Sequence, residues 1–167
     1  NSNTIGIIIE PVQGEGGIHV AKRDFIKGLR QICDECQLIL IFDEIQCGLG
    51  RAGALFAYET YGIEPDVMTL AKSLGGGLAM GSMLCRKHIA TAFTPGTHGT
   101  TLGGNHITAA AALAYVSELV EGDWATKADL QGGKFEGLLT ERLSRFKSFR
   151  EIRRRGLMMA VELEEKA

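Results

Sequence analysis

The first third of the chain alternates short apolar runs with one longer amphipathic stretch. Ile5–Glu10 (IGIIIE) is rich in β-branched residues and stops at Pro11, the pattern of a buried strand. Gln13–Gly17 (QGEGG) reads as a glycine-rich loop. Phe25, Ile26, Leu29, Ile32, Cys33 and Cys36 then recur at helical spacing and predict an amphipathic helix over Arg23–Cys36. Leu38–Phe42 is a second continuous apolar run, closed by Asp43. Strand, helix and strand with unbroken apolar runs predict a parallel α/β unit covered on both faces.

Asp66–Leu70 and Ala79–Cys85 are further strand candidates, separated by the KSLGGG segment. Ile107–Leu119 is alanine-rich and helical. Leu130–Phe146 predicts an amphipathic helix with Leu138, Leu139, Leu143 and Phe146 on one face. At the end, Leu157, Met159, Val161 and Leu163 alternate with Met158, Ala160 and Glu162, a period of two that marks a strand with unlike faces. This change of pattern predicts that residues 1–122 belong to a larger α/β domain and residues 123–167 open a smaller one.

Composition narrows the function classes. The 167 residues are 45% hydrophobic and 23% charged, as in an ordinary globular protein. A net charge of -2 leaves no basic surplus to neutralise phosphates, which argues against nucleic acid. The basic cluster Arg150–Arg155 lies near the acidic Glu162–Glu165 and reads as a solvated face. No apolar run reaches the roughly 20 residues that span a bilayer. The chain reads as starting in mid-protein, and no signal peptide or transit segment opens it. Cys33 and Cys36 form a C-x-x-C, but a zinc site needs about four ligands and there is no second pair. Both fall on the apolar stripe of the predicted helix and read as buried thiols; free cysteines suit a reducing compartment such as the cytoplasm.

Two residues carry candidate chemistry. Asp43 closes a buried strand at its carboxyl end, where open α/β sheets place their ligands and where a carboxylate can also simply cap a loop. Lys72 follows another buried strand, and its apolar flanks fit either a desolvated amine able to attack a carbonyl or a surface lysine that opens a loop. The glycines come after Lys72, the reverse of a phosphate-binding P-loop, and no G-x-G-x-x-G follows a strand.

The segments EPVQGEGG, FDEIQCGLGR, LAKSLGGG and HGTTLGGN, in this order, resemble the class-III aminotransferases, above all the acetylornithine type, from Ile7 to Leu163. The resemblance implies a fold-type-I large domain that binds pyridoxal 5'-phosphate (PLP), in a homodimer whose active sites draw on two subunits. Lys72 matches the lysine that binds the cofactor as a Schiff base and moves the substrate proton. Asp43 matches the aspartate that keeps the pyridine nitrogen protonated, so that the ring accepts electrons. Gln46 matches the neighbour of the phenolic oxygen, with Glu44 and Ile45 in the same cofactor-binding segment. Thr101 matches the threonine that reaches the partner subunit's cofactor phosphate, and Thr100 lies beside it near substrate. Glu10 matches a glutamate that pairs with a substrate-pocket arginine in ornithine-type relatives, and Glu15 lies at the same entrance. With Lys72 available as base, His98 and His106 are assigned no catalytic role.

The implied reaction moves an amino group from acetylornithine, or a similar ω-amine, to 2-oxoglutarate, as in arginine and lysine biosynthesis. Ornithine and 4-aminobutyrate aminotransferases are the nearest alternatives. A catalytically silent module that keeps only the fold core and dimer surface is the competing class. The family's upstream S-G-T-E-A-N phosphate segment, ring-stacking aromatic residue and downstream carboxylate-binding arginine have no counterpart here. The expectation is therefore a fragment with exposed strand edges and an uncovered apolar face, weak PLP binding and little turnover. Ala79 and His106 stand where relatives carry proline, and Arg154 where they favour glycine; these changes are expected to loosen loops.

Overall fold

The computed structural model describes residues 3–164. The chain enters through β1 (Gly6–Ile9) and a small hairpin, β2 (Val12–Gln13) with β3 (His19–Val20), whose turn is the glycine-rich segment. α1 (Arg23–Cys36) then leads to β4 (Ile39–Asp43). β5 (Val67–Leu70) and β6 (Ser82–Cys85) complete a four-stranded sheet of order β1-β4-β5-β6. β1 and β5 both pair parallel to β4, whereas β6 runs antiparallel on β5. The mostly parallel α/β architecture follows the sequence pattern. β6 is shorter than expected because residues 79–81, which follow the glycine-rich turn after Lys72, form no strand.

Side chains alternate across a strand, so the register assigns the two sheet faces. One face carries Ile7, Ile9, Leu40 and Phe42, which pack against Ile26 and Cys33 of α1 and against Tyr61. Leu40 and Phe42 are fully buried, and α1 is held by this contact more than by its own ends. Met68 and Leu70 continue the same face into a second core. The opposite face carries Ile8, Ile39 and Ile41, and Ile8, on the edge strand, remains 65% exposed. Only part of the predicted α1 stripe is covered: Cys33 is buried, but Cys36 is exposed beside the left-handed Gln37 that ends the helix. The expectation of two buried thiols is thus corrected for Cys36.

Buried charge ties the layer together. Asp66 Oδ2 accepts from the Leu40 N–H at 2.9 Å and from Arg30 at 2.8 Å, and Arg86 lies 3.4 Å from Oδ1. Burial opposes ionisation of Asp66, but these donors outweigh it and hold the carboxyl below its ordinary range.

After a short α2 (Lys87–Ala90), α3 (His106–Glu121) packs Ala112 and Leu119 onto Leu49, Met68, Leu70 and Leu74. α4 (Trp124–Leu143) follows and leads to an antiparallel pair, β7 (Phe149–Arg155) with β8 (Met158–Leu163). β7 is the main departure from the sequence reading, which placed Arg150–Arg155 on a solvated face. Arg153 pairs with Glu151 and Glu162 and donates to the Gly17 carbonyl at 2.8 Å. Arg154 joins Asp129 and Glu136 of α4, each at 2.8 Å. These ion pairs half-bury two arginines without any apolar alternation to announce a strand. Glu165, from the acidic group expected nearby, lies outside the described residues. No helix among the described residues is long and apolar enough to cross a membrane.

Candidate active site

Asp43 is the last residue of β4 and stands opposite Thr69 in β5. The next N–H, of Glu44, donates to the Thr69 carbonyl at 3.0 Å and holds the two strand ends together. Lys72 comes two positions after β5 ends, so amine and carboxylate leave the same carboxyl edge of neighbouring parallel strands. Asp43 is half-buried, and its Oδ1 accepts the Ile45 N–H at 3.0 Å, which fixes the carboxylate at the head of the turn. Thr69 Oγ1 is buried with no hydrogen-bond partner among the described residues, an open polar position beside Asp43 in the register.

Lys72 opens a 3₁₀ turn, Lys72–Gly75, with φ +52°. A left-handed non-glycine residue costs roughly 1–3 kcal/mol and is held only when its surroundings dictate it. Leu74 supplies that anchor by burying itself in the second core. The apolar flanks therefore pack below the turn and leave Lys72 exposed, the arrangement of a surface lysine that opens a loop.

Lys72, Ser73, Ile45 and Gln46 line one cleft of about 400 Å3, within the usual range for small-molecule sites. Ile18, Arg51 and Leu157–Met159 complete it, none of which the sequence reading had placed there. Ile18 is β-branched yet has φ +56°, a second strained residue on the same cleft. The signals available were weak: Ile18 follows the glycine pair of the hairpin turn, and Arg51 ends the GLGR segment. Leu157 arrives because its N–H donates to the Arg51 carbonyl at 2.9 Å, bringing the β7–β8 turn over the strand ends. A second cleft, about 380 Å3 between α3, α4 and Leu49–Arg51, is largely apolar and holds neither Lys72 nor Asp43.

Gln46 is held from the hairpin side. Its Nε2 donates to Glu15 at 3.3 Å, and its amide lies so close to Gly14 that a Cβ there would overlap it. Glu10 accepts the Gly14 N–H at 3.1 Å, so one of its two oxygens secures this turn. Glu44, in the expected cofactor-binding segment, turns its side chain into the protein. It is 1% exposed, and both oxygens are taken by backbone donors, Ala57 N–H at 2.6 Å and Tyr58 N–H at 2.8 Å. Burial pushes its carboxyl up to about 7 despite these bonds. Its carboxylate is thus committed to the protein backbone. Cys47, on the same turn, is also buried, and burial raises its thiol to about 12.

Thr100 and Thr101 are not brought to this cleft. They lie in an exposed segment that runs from Ala90 to Ile107. Thr100 Oγ1 accepts the Gly103 N–H at 3.1 Å, and Leu102 beside them is 76% exposed. His98 packs edge-on against Phe93 at 5.2 Å, and His106 is the first residue of α3.

The family model for the class-III aminotransferases matches residues 1–167. The chain belongs to that family. It is 48% identical to the acetylornithine aminotransferase of Methanocaldococcus jannaschii, over 96% of this chain and 40% of that protein. It is 44% identical to the succinylornithine transaminase of Photorhabdus laumondii, over 99% of this chain and 41% of that protein. The ornithine δ-aminotransferase of Plasmodium falciparum superposes with a TM-score of 0.92 at 35% identity, over 98% of this chain and 43% of that one. The chain thus spans about 40% of the length of the curated relatives it matches. Class-III aminotransferases are PLP enzymes acting on amino and keto acids, which is the chemistry to test against this cleft.

Proposed function

We propose that this chain is the cofactor-binding part of an aminotransferase that uses PLP to move an amino group from acetylornithine, or a similar ω-amine, to 2-oxoglutarate. The observation that carries the reading is one amine and one carboxylate at the ends of adjacent parallel strands, with Gln46 on the cleft between strand ends and hairpin. The residues present fit the cofactor: an exposed amine and an amide donor line a cleft of suitable size, and a fixed carboxylate and an unpartnered threonine hydroxyl stand at the adjoining strand ends. When bound, PLP supplies a carbonyl that takes up the substrate amine and a ring that accepts an electron pair.

The chain's own groups do the rest. Lys72 would hold the cofactor through its amine and would move the substrate proton. Asp43 would supply the negative charge that keeps the ring nitrogen protonated. Gln46 would donate to the phenolic oxygen. Two of the similar proteins are named for acylated ornithines, whose free amine is the terminal one, and this supports an ω-amine donor.

The same reading gives the remaining expectations their place. Residues 1–122 form part of the large domain, and residues 123–167 begin the small one; the separate β7–β8 sheet supports this division. The exposed Thr101 serves the cofactor phosphate of a second subunit in a homodimer, with Thr100 beside it near substrate, and the setting is the cytoplasm. Glu10 keeps one oxygen for a substrate-pocket arginine. The isolated chain binds PLP weakly and turns over little.

The test is chemical fixation. The chain is mixed with PLP, reduced with borohydride, and digested for mass mapping. Modification concentrated on Lys72, and lost in Lys72→Ala, is the expected result. Uniform low labelling of many lysines, unchanged by that substitution, would leave only a silent fold core.

A further inference from the structure

We propose that Glu44 is a positioning residue: its buried carboxylate ties the turn carrying Asp43 and Gln46 to the backbone of Ala57 and Tyr58, and so fixes both groups for the cofactor. This rests on the PLP reading above and assigns Glu44 a task within it.

The turn from Asp43 to Gly50 has few other ties to the layer beneath it. Glu44 N–H donates to Thr69, Gly48 N–H returns to the Glu44 carbonyl at 3.0 Å, and Gly50 N–H reaches Leu55 at 3.1 Å. Cys47 packs against Ala57 and Leu49 lies in the core that Tyr58 borders, and among the described residues Glu44 adds the hydrogen bonds from this turn to the 3₁₀ segment Ala57–Tyr61, two short bonds to a buried charge. Charge-assisted bonds of this kind are about twice as strong as neutral ones. Space is also closed around it: a Cβ on Gly48 would lie 2.8 Å from the Glu44 carbonyl and 3.2 Å from Oε2. Glu44 sits between Asp43, which is held to Ile45, and Gln46, which is held to Glu15. Release of its carboxylate would leave the side chains of both neighbours bonded only within the turn and the hairpin. The segment it grips is itself anchored, because the Tyr61 hydroxyl donates to the Pro11 carbonyl at 3.0 Å and its ring lies in the first core.

The experiment compares the wild-type chain, Glu44→Gln, Glu44→Asp and Gly137→Ala, the last a position on α4 whose Cβ would meet nothing within 4 Å. Amide hydrogen exchange at pH 7.5 is read at Ile45, Gly48, Ala57 and Tyr58. In Glu44→Gln the amide group presents an N–H where an acceptor is needed. Protection at these four positions is expected to fall about tenfold, the scale of one lost charged hydrogen bond. Glu44→Asp, which keeps the charge, retains more of the protection, and Gly137→Ala leaves it unchanged. With PLP present, Glu44→Gln and Asp43→Asn should shift the absorbance of the bound cofactor in the same direction, while Gly137→Ala does not. If the chain takes up no PLP, the functional reading fails and the exchange data still decide the latch. Unchanged turn protection in Glu44→Gln, or a cofactor spectrum moved equally by Gly137→Ala, would overturn the proposal.

Discussion

Gly132 of α4 offers a test in which two known effects oppose each other. In an exposed helix, replacing glycine by alanine stabilises by about 1 kcal/mol, because the alanine backbone loses less freedom. At Gly132 a Cβ would overlap the carbonyl oxygen of Gly156 and approach its carbon to 2.9 Å and Arg154 Nη1 to 3.0 Å. That carbonyl cannot swing aside freely. It accepts from Arg154 at 2.9 Å, and Gly156 is itself left-handed and pressed against the backbone of Arg51–Gly53. Overpacking of this kind costs about 1–3 kcal/mol. Relief by moving the hairpin outward also loses the Leu157 to Arg51 bond, worth about 1 kcal/mol. Gly132→Ala should therefore destabilise by about 1–3 kcal/mol. Gly137, on the same helix, has nothing within 4 Å of its ideal Cβ, and Gly137→Ala should stabilise by about 1 kcal/mol. Urea unfolding measures both, with the slopes checked for equality. A Gly132→Ala midpoint equal to or above that of Gly137→Ala would refute the packing of α4 against the β7–β8 turn.

Three further outcomes follow from the fold and site. Phe42→Ala removes a fully buried ring from the sheet core and should cost about 3–5 kcal/mol by urea unfolding; a loss under 1 kcal/mol would deny that this face is packed. Asp66 is held below its ordinary value by Leu40 and Arg30 against the opposing effect of burial. Its contribution is therefore complete above the unfolded carboxylate value and disappears as pH falls through the folded one. Asp66→Asn should lower the neutral-pH midpoint and flatten the acid decline, and curves that merely run parallel to wild type would argue against the ion pair. Gly14→Ala pushes against the far end of the Gln46 side chain, which can move, so stability should change by no more than about 0.5 kcal/mol. Borohydride-fixed cofactor should nevertheless fall several-fold, because Gln46 is displaced from the cleft; an unchanged yield would remove Gln46 from the site.

The sheet was legible because burial and sequence speak the same language there. Ile5–Glu10, Leu38–Phe42 and Asp66–Leu70 are continuous apolar runs, and each became a parallel strand within a residue or two of its expected ends. β7 was hidden because Arg153 and Arg154 bury through partners on Gly17, Glu162, Asp129 and Glu136, far away in the chain. Arg154 in particular does the opposite of what its place in a glycine position suggested: it clamps α4 to β7. Lys72 and Asp43 could be read as strand-end residues, and the register places them on one sheet edge. What a sequence cannot show is which way a carboxylate turns. Asp43 and Glu44 are adjacent and chemically alike, yet one heads an open turn and the other is sealed against two backbone amides.

That division between neighbouring carboxylates explains how an exposed cleft can hold chemical groups in fixed positions. A lysine and an aspartate on flexible loops would wander by more than a reaction tolerates. Here each strand end is pinned from below: Leu74 buries under Lys72, Glu44 is sealed beside Asp43, and Glu15 with Gly14 confines Gln46. Strain is paid at the same points, in the left-handed Ile18, Leu49 and Lys72, and it persists because these anchors outnumber the soft backbone around them. Among the described residues, the exposed segment around Thr100 and Thr101 has no such anchors beyond its own turns. Positioning within this chain therefore ends at the strand ends and the hairpin, and any contribution from the threonines requires a surface that presses that segment into shape.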